Sequence, residues 1–173
     1  MKIIGLAAII LLTGSLLGST VVKLELPELV KTSDSIVQGR VDDVYTRWDE
    51  NQRMVYTYVS VSVLDPMKGE RRRSVLVKQL GGTLGAMTQF VAGSPTFSRN
   101  EEVILFLKQQ TNAATFSIVG LNQGKYDIVD DYAVTNVSGI DLYNPKTGRI
   151  ETPAVITKAP VEAFKAKIRE LVR

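Results

Sequence analysis

The chain has 173 residues, with 21 basic and 18 acidic side chains, no histidine and no cysteine. It therefore lacks the commonest general base, the commonest nucleophile at neutral pH and the usual zinc ligands, which removes most hydrolase schemes. The charge is lopsided: Lys158 to Arg173 holds five basic and two acidic residues, whereas residues 21–157 hold 15 and 16, so the body is neutral and nucleic-acid binding, which needs a basic face, is not expected.

Lys2 is followed by an uncharged stretch from Ile3 to Val22 that includes IIGLAAIILL. This predicts a secretory signal over residues 1–20 that is removed near residue 20. The same length also suits an uncleaved anchor, the one circumstance in which contact with a membrane is expected. The expected location is secreted or periplasmic, and an exported chain without cysteine points to a bacterial setting with stability from packing alone. Residues 21–173 are long enough to bury one core and are expected to form a single domain.

Leu26-Pro27-Glu28-Leu29-Val30 reads as a short helical turn ended by Thr32-Ser33-Asp34. From Ile36 to Tyr45 the pattern is a strand, with Val37, Gly39 and Val41 on one face, and Gly39 suggests a bulge or a close backbone crossing. Next, Val55, Thr57, Val59, Val61 and Val63 alternate with Tyr56, Tyr58, Ser60, Ser62 and Leu64, giving a valine face for the core and a half-wet tyrosine-serine face. Asp65-Pro66-Met67-Lys68-Gly69 is expected to break this strand. Ser74 to Leu80 is a third strand, and Val103 to Leu107, apolar without alternation, reads as a strand covered on both sides. Phe116 to Leu121, Lys125 to Val129 and Ala133 to Val137 follow as strands, and residues 160–172 form a closing amphipathic helix opened by Pro160. The order predicts a mainly β fold: a small antiparallel barrel or sandwich with a short helix before it and an amphipathic helix after it.

The runs Ser33-Asp34-Ser35-Ile36-Val37-Gln38-Gly39-Arg40-Val41, Val59 to Gly69 and Glu102-Val103-Ile104-Leu105-Phe106-Leu107 resemble the netrin-like domain of tissue inhibitors of metalloproteinases. The resemblance extends to a group of exported bacterial proteins with the same element order and a similar Gly-Gly loop, and covers about Leu26 to Val129. It implies an OB-type barrel. The animal inhibitors chelate the protease zinc through an amino-terminal cysteine, which has no counterpart here, so fold analogy does not carry their mechanism over.

Two stretches imitate phosphate loops and fail. Gly120 to Tyr126 misses the frame of G-x-x-x-x-G-K-[ST] by one residue and puts Tyr126 where the hydroxyl residue belongs; Gly81-Gly82-Thr83-Leu84-Gly85 lacks the G-x-G-x-x-G order. A Ser74 and Lys78 pair, four strand residues apart, is separated by about 13 Å. The acid pairs Asp42-Asp43, Asp49-Glu50 and Asp130-Asp131 lack the layout of a calcium loop and read as solvated charges. No catalytic, cofactor-binding or metal-binding set is predicted.

The candidate site is the long connection after Leu80. It opens on Gly81 and Gly82 and carries Leu84, Met87, Phe90, Val91 and Phe97, large apolar groups that either plug one end of the barrel or form a recognition surface. Tyr56 and Tyr58 are either half-buried strand packing or a small aromatic binding face. Three functions fit: an exported non-enzymatic domain binding a protein or other ligand through barrel-rim loops, an inhibitor or companion of a secreted protease, and a metal-dependent or carboxylate enzyme.

Overall fold

The computed structural model describes residues 20–111, 113–138, 140–152 and 156–173. The expected signal segment falls on residues 1–19, outside the described residues, and only its last position, Thr20, is seen. The chain is mainly β, with 52% of residues in strands and two helices. Its elements in order are β1 (Thr20–Val22), α1 (Leu26–Thr32), β2 (Ser35–Trp48), β3 (Val55–Lys68), β4 (Ser74–Leu80), β5 (Gly82–Leu84), β6 (Met87–Gln89), β7 (Glu102–Gln109), β8 (Thr115–Ile118), β9 (Lys125–Val129), β10 (Tyr132–Asn136), β11 (Asp141–Asn144), β12 (Arg149–Glu151), β13 (Ile156–Pro160) and α2 (Val161–Val172).

Five strands close into a ring. β2 pairs with β3, β3 with β4 and β7 with both β2 and β8, all antiparallel, and one parallel pairing of β4 with β8 closes the circle. β7 is the branch point: Leu107 to Gln109 pair with β8, while Val103 to Leu105 pair with β9, from which β10 and β13 extend the sheet outwards. β1, β11 and β12 form a separate three-stranded sheet.

This branching explains the unbroken apolar run of β7. Val103, Leu105 and Leu107 point into the ring and join Val37, Val41, Val59, Val61 and Phe116. Ile104 and Phe106 point the other way, into a second core that α1 and α2 close with Leu29, Val30, Phe164 and Ile168. All five residues from Val103 to Leu107 have no solvent-exposed surface, as expected of a strand covered on both faces. The second core is aromatic at its centre, with the Phe106 ring 5.9 Å from Tyr126 and 6.4 Å from Phe164. Burial pushes the Tyr126 phenol up to about 12, and the carboxylate of Glu25 adds to the shift.

Val55, Thr57, Val59 and Val61 of β3 are buried as their alternation predicts, while Val63 at the end of the row is half-buried. Gly39 sits at a register shift of β2, where a Cβ would meet the Ser62 carbonyl oxygen at 2.6 Å, so the close crossing leaves room for hydrogen alone.

Four expectations need correction. The break at Asp65-Pro66 does not occur, because β3 runs on to Lys68 with Pro66 opposite Val37. β4 pairs with β3 only from Tyr56 to Ser62, so Pro66 lies on an open edge where its missing N–H is not needed, and shifts in β2 absorb the irregularity. Pro160 does not open the last helix; it ends β13, and α2 starts at Val161, with Phe164 and Ile168 inward as the spacing predicts. The barrel is not wholly antiparallel, because the ring closes through the parallel pairing of β4 with β8. The long connection after Leu80 contains the β5–β6 hairpin.

Candidate functional site

The segment from Gln79 to Ser98 carries no charged residue in a chain that is 23% charged. β4 ends at Leu80, and the next two residues fix the course of everything after them. Gly81 donates its N–H to the Val55 carbonyl at 2.8 Å and its own carbonyl accepts the Thr57 hydroxyl at 2.7 Å, tying the chain to the rim of the ring. At Gly82 the backbone has φ 135, and a Cβ would lie 2.3 Å from the Thr57 hydroxyl oxygen and 2.7 Å from the Thr46 methyl. Glycine is required there because the hairpin lies directly on β2 and β3. The paired glycines thus serve close backbone packing. β6 stands where a phosphate cradle would need a helix, which agrees with the rejected nucleotide reading.

The hairpin turns through Gly85 and Ala86 between the paired Leu84 and Met87. Further bonds hold it down: the Thr46 hydroxyl donates to the Thr83 carbonyl at 2.6 Å, and Gln89 accepts the Val55 N–H through its side-chain oxygen at 3.0 Å. Thr83 and Thr88 join hydroxyls at 3.0 Å across it.

Beyond β6 the apolar residues of the connection part company. Phe97 packs on the inner core of the ring, and the Lys125 ammonium sits 4.8 Å from its ring centre. Phe90 is 84% exposed and Met87 50% exposed, and Leu84 is half-buried between these extremes. The connection therefore divides: Phe97 packs inward as the plug expectation has it, while Met87 and Phe90 face outward. Between them lies an open cleft of about 520 Å³. Its walls include Tyr45, Thr46, Gln79, Phe90, Ser94 and Phe97, and none of its lining residues is charged. Gln79 donates to the Pro95 carbonyl at 2.9 Å, while its side-chain oxygen, closed off from solvent, has no partner.

The tyrosine face adjoins this cleft. Tyr58 stacks on Tyr45, its cross-strand partner, at 5.3 Å with ring planes 8° apart. Arg47 covers Tyr45 at 4.8 Å, and the Lys78 ammonium lies 4.1 Å from the Tyr56 ring and 5.7 Å from Tyr58. The rings are half-buried and capped by cations of their own sheet. Lys78 therefore faces the tyrosines. Sequence reasoning missed Tyr45, Thr46, Gln79 and Gln89, because only strand register brings them beside the glycine loop.

Lys125, which stands in the failed phosphate-loop frame, is 8% exposed, hydrogen-bonded to Asp127 and ion-paired with Glu101 at 3.2 Å. It borders a separate polar niche of about 220 Å³ with Asn122 and Asn136. Its charge is taken up by the two carboxylates. Asp49, in the β2–β3 turn, accepts the N–H groups of Met54 and Arg53, in that order of effect, and these hold its carboxyl below the usual range. Among the described residues no group of three or more acidic side chains is placed to hold a metal ion. No family model matches the chain, and no curated protein matches it.

Proposed function

We propose that the protein is an exported, non-enzymatic binding domain on an OB-type barrel, and that it captures a protein partner through the rim hairpin β5–β6. Support for the barrel comes from the strand order: a three-stranded meander, then two strands that close the ring through one parallel pairing. Support for export is the uncharged Ile3 to Val22 run after Lys2. The observation that carries the binding role is Phe90, exposed over 84% of its surface directly after a hairpin that bonds from Gly81, Thr83 and Gln89 tie to β2 and β3. A large apolar group fixed in water by a rigid support is expensive to keep unless something covers it, and aromatic residues and methionine are what buried interface centres favour.

The test is capture from the exported fraction of the producing cell, with wild type compared against a Met87→Asp/Phe90→Asp double variant. A partner held by wild type and released by a variant of unchanged melting temperature supports the reading. Unfolding of the variant, or equal capture by both proteins, removes it. The protein should also reach the exported fraction with its first residue near Thr20.

A further inference from the structure

Resting on that reading, we infer that the partner presents an extended, uncharged segment that adds as a strand to the open edge of β6 and sets an apolar side chain into the cleft between Phe90 and Phe97. Among the described residues β6 pairs with β5 and with no other strand. The two-residue turn between Leu84 and Met87 fixes which backbone groups are free. Met87 and Gln89 lie opposite Leu84 and Gly82 as the bonded pairs of the hairpin, so the N–H and carbonyl of Thr88 point away from β5. An edge of this kind is a template for another chain, and natural proteins usually blunt it with charge or proline. Here no charge stands between Lys78 and Arg99, and Pro95 lies beyond the strand.

Three features select the occupant. The first is charge: a cleft with no charged lining residue returns nothing for the desolvation of an ionised side chain, so a neutral segment is favoured. The second is the backbone edge at Thr88, which offers the alternating donor and acceptor of a strand and so favours a peptide over a glycan. The third is length. The cleft continues from β6 past Phe90 and Val91 to Ser94 and Phe97. A second copy of this chain, meeting β6 about a two-fold axis, would bring the same three-residue edge and leave that far end uncovered. A longer strand fills both parts, with backbone bonds at β6 for affinity and the cleft for the choice of side chain.

The probe is a displayed library of random heptapeptides, selected against the purified protein and counter-selected against Phe90→Ser. Expected is enrichment of uncharged sequences with alternating apolar residues, about tenfold weaker binding to Phe90→Ser, loss of binding when the peptide amides are N-methylated, and slowed hydrogen exchange at Thr88. Failure to enrich any peptide over the Phe90→Ser background overturns the inference, as does equal binding of the N-methylated form. Occupation of the cleft by neutral oligosaccharides in preference to peptides overturns it too, as does a dimer that Phe90→Ser dissolves. If a native partner is captured through Phe90 while no peptide is selected, the proposed function stands and this inference alone falls. If Met87→Asp/Phe90→Asp unfolds the protein, both fall.

Discussion

β7 and the segment of the β5–β6 hairpin that ends at Phe90 both carry large apolar side chains, and those side chains meet opposite fates. Each of the five residues from Val103 to Leu107 is sealed from water, whereas Met87 and Phe90 stand out in it. Both segments carry large apolar side chains, so the presence of such side chains does not by itself decide burial. What separates them is where the backbone bonds go: β7 is paired by β2, β8 and β9, and so has sheet on both edges and a core on each face. The hairpin pairs with itself and leans on the rim through Gly81, Thr46 and Gln89. A strand inside the network spends its side chains on packing; one hung from the edge leaves them for contacts outside the molecule.

The sharpest way to break this contrast is to damage the inner member. Phe106→Ala removes the ring that touches Tyr126 and Phe164 and leaves a cavity between the sheet and both helices. A loss of about 4 kcal/mol is expected, which thermal unfolding should register as a fall of roughly 10 °C. A much smaller loss would mean that the helical layer is loosely packed.

Gly82→Val attacks the outer member at its root. The new Cβ meets the Thr57 hydroxyl and the Thr46 methyl at a backbone angle of φ 135 that valine avoids. The strain of about 2 kcal/mol should be relieved locally, by lifting the hairpin. Hydrogen exchange should then quicken at Leu84, Met87 and Gln89, whose N–H groups bond across the hairpin, and stay slow along β7. If both regions loosen together, the hairpin is part of the cooperative core and the contrast drawn above is wrong.

Asp65 sharpens the comparison from the other side of the molecule, where helix α2 is fastened to the far end of β3. Its carboxylate takes Lys165 at 2.8 Å and Arg169 at 2.6 Å. Burial is the largest single influence on this group and pushes its pKa up, but the two cations together outweigh it and hold the carboxyl below its ordinary 3.8. A carboxyl depressed in the folded state lends stability that is complete above that ordinary value and is lost as the pH falls through the lower folded one. Asp65→Asn should therefore reduce stability by about 1 kcal/mol at neutral pH and flatten the decline of stability below about pH 4. An unchanged acid limb of the stability curve would show that the contact is not formed in solution.

The same contrast explains which parts could be read from the residues alone. The valine alternation of β3, the two-sided run of β7 and the glycine crossing at Gly39 are written in local pattern, because each reflects how many faces of one strand are covered. The three-residue strands β1, β5, β6 and β12 leave no periodic trace. Ile150 in β12 and Tyr143 in β11 are exposed apolar residues facing one another across that small sheet, so even their alternation is not inside against outside. Phe90 and Phe97 look alike in sequence, in one uncharged loop. Only the long-range placement of Lys125 and of the ring's inner valines makes one a plug and leaves the other in water. Tyr45 and Gln79 entered the candidate site for the same reason, through register and not through motif.

The smallest expected effect is the most informative. Met87→Asp/Phe90→Asp adds two charges to the hairpin, yet both positions face solvent and neither side chain belongs to a buried cluster. Surface changes of this kind stay within about 0.5 kcal/mol, so the melting temperature should hold to within roughly 2 °C. The matching Phe97→Asp change, seven residues on, removes a ring packed on the inner core and should cost about 2 kcal/mol, several times the effect at Phe90. The pair must split in this way: if Phe90 proves as indispensable to stability as Phe97, then the hairpin is held shut against the barrel in solution, and its outward surface is unavailable to any partner.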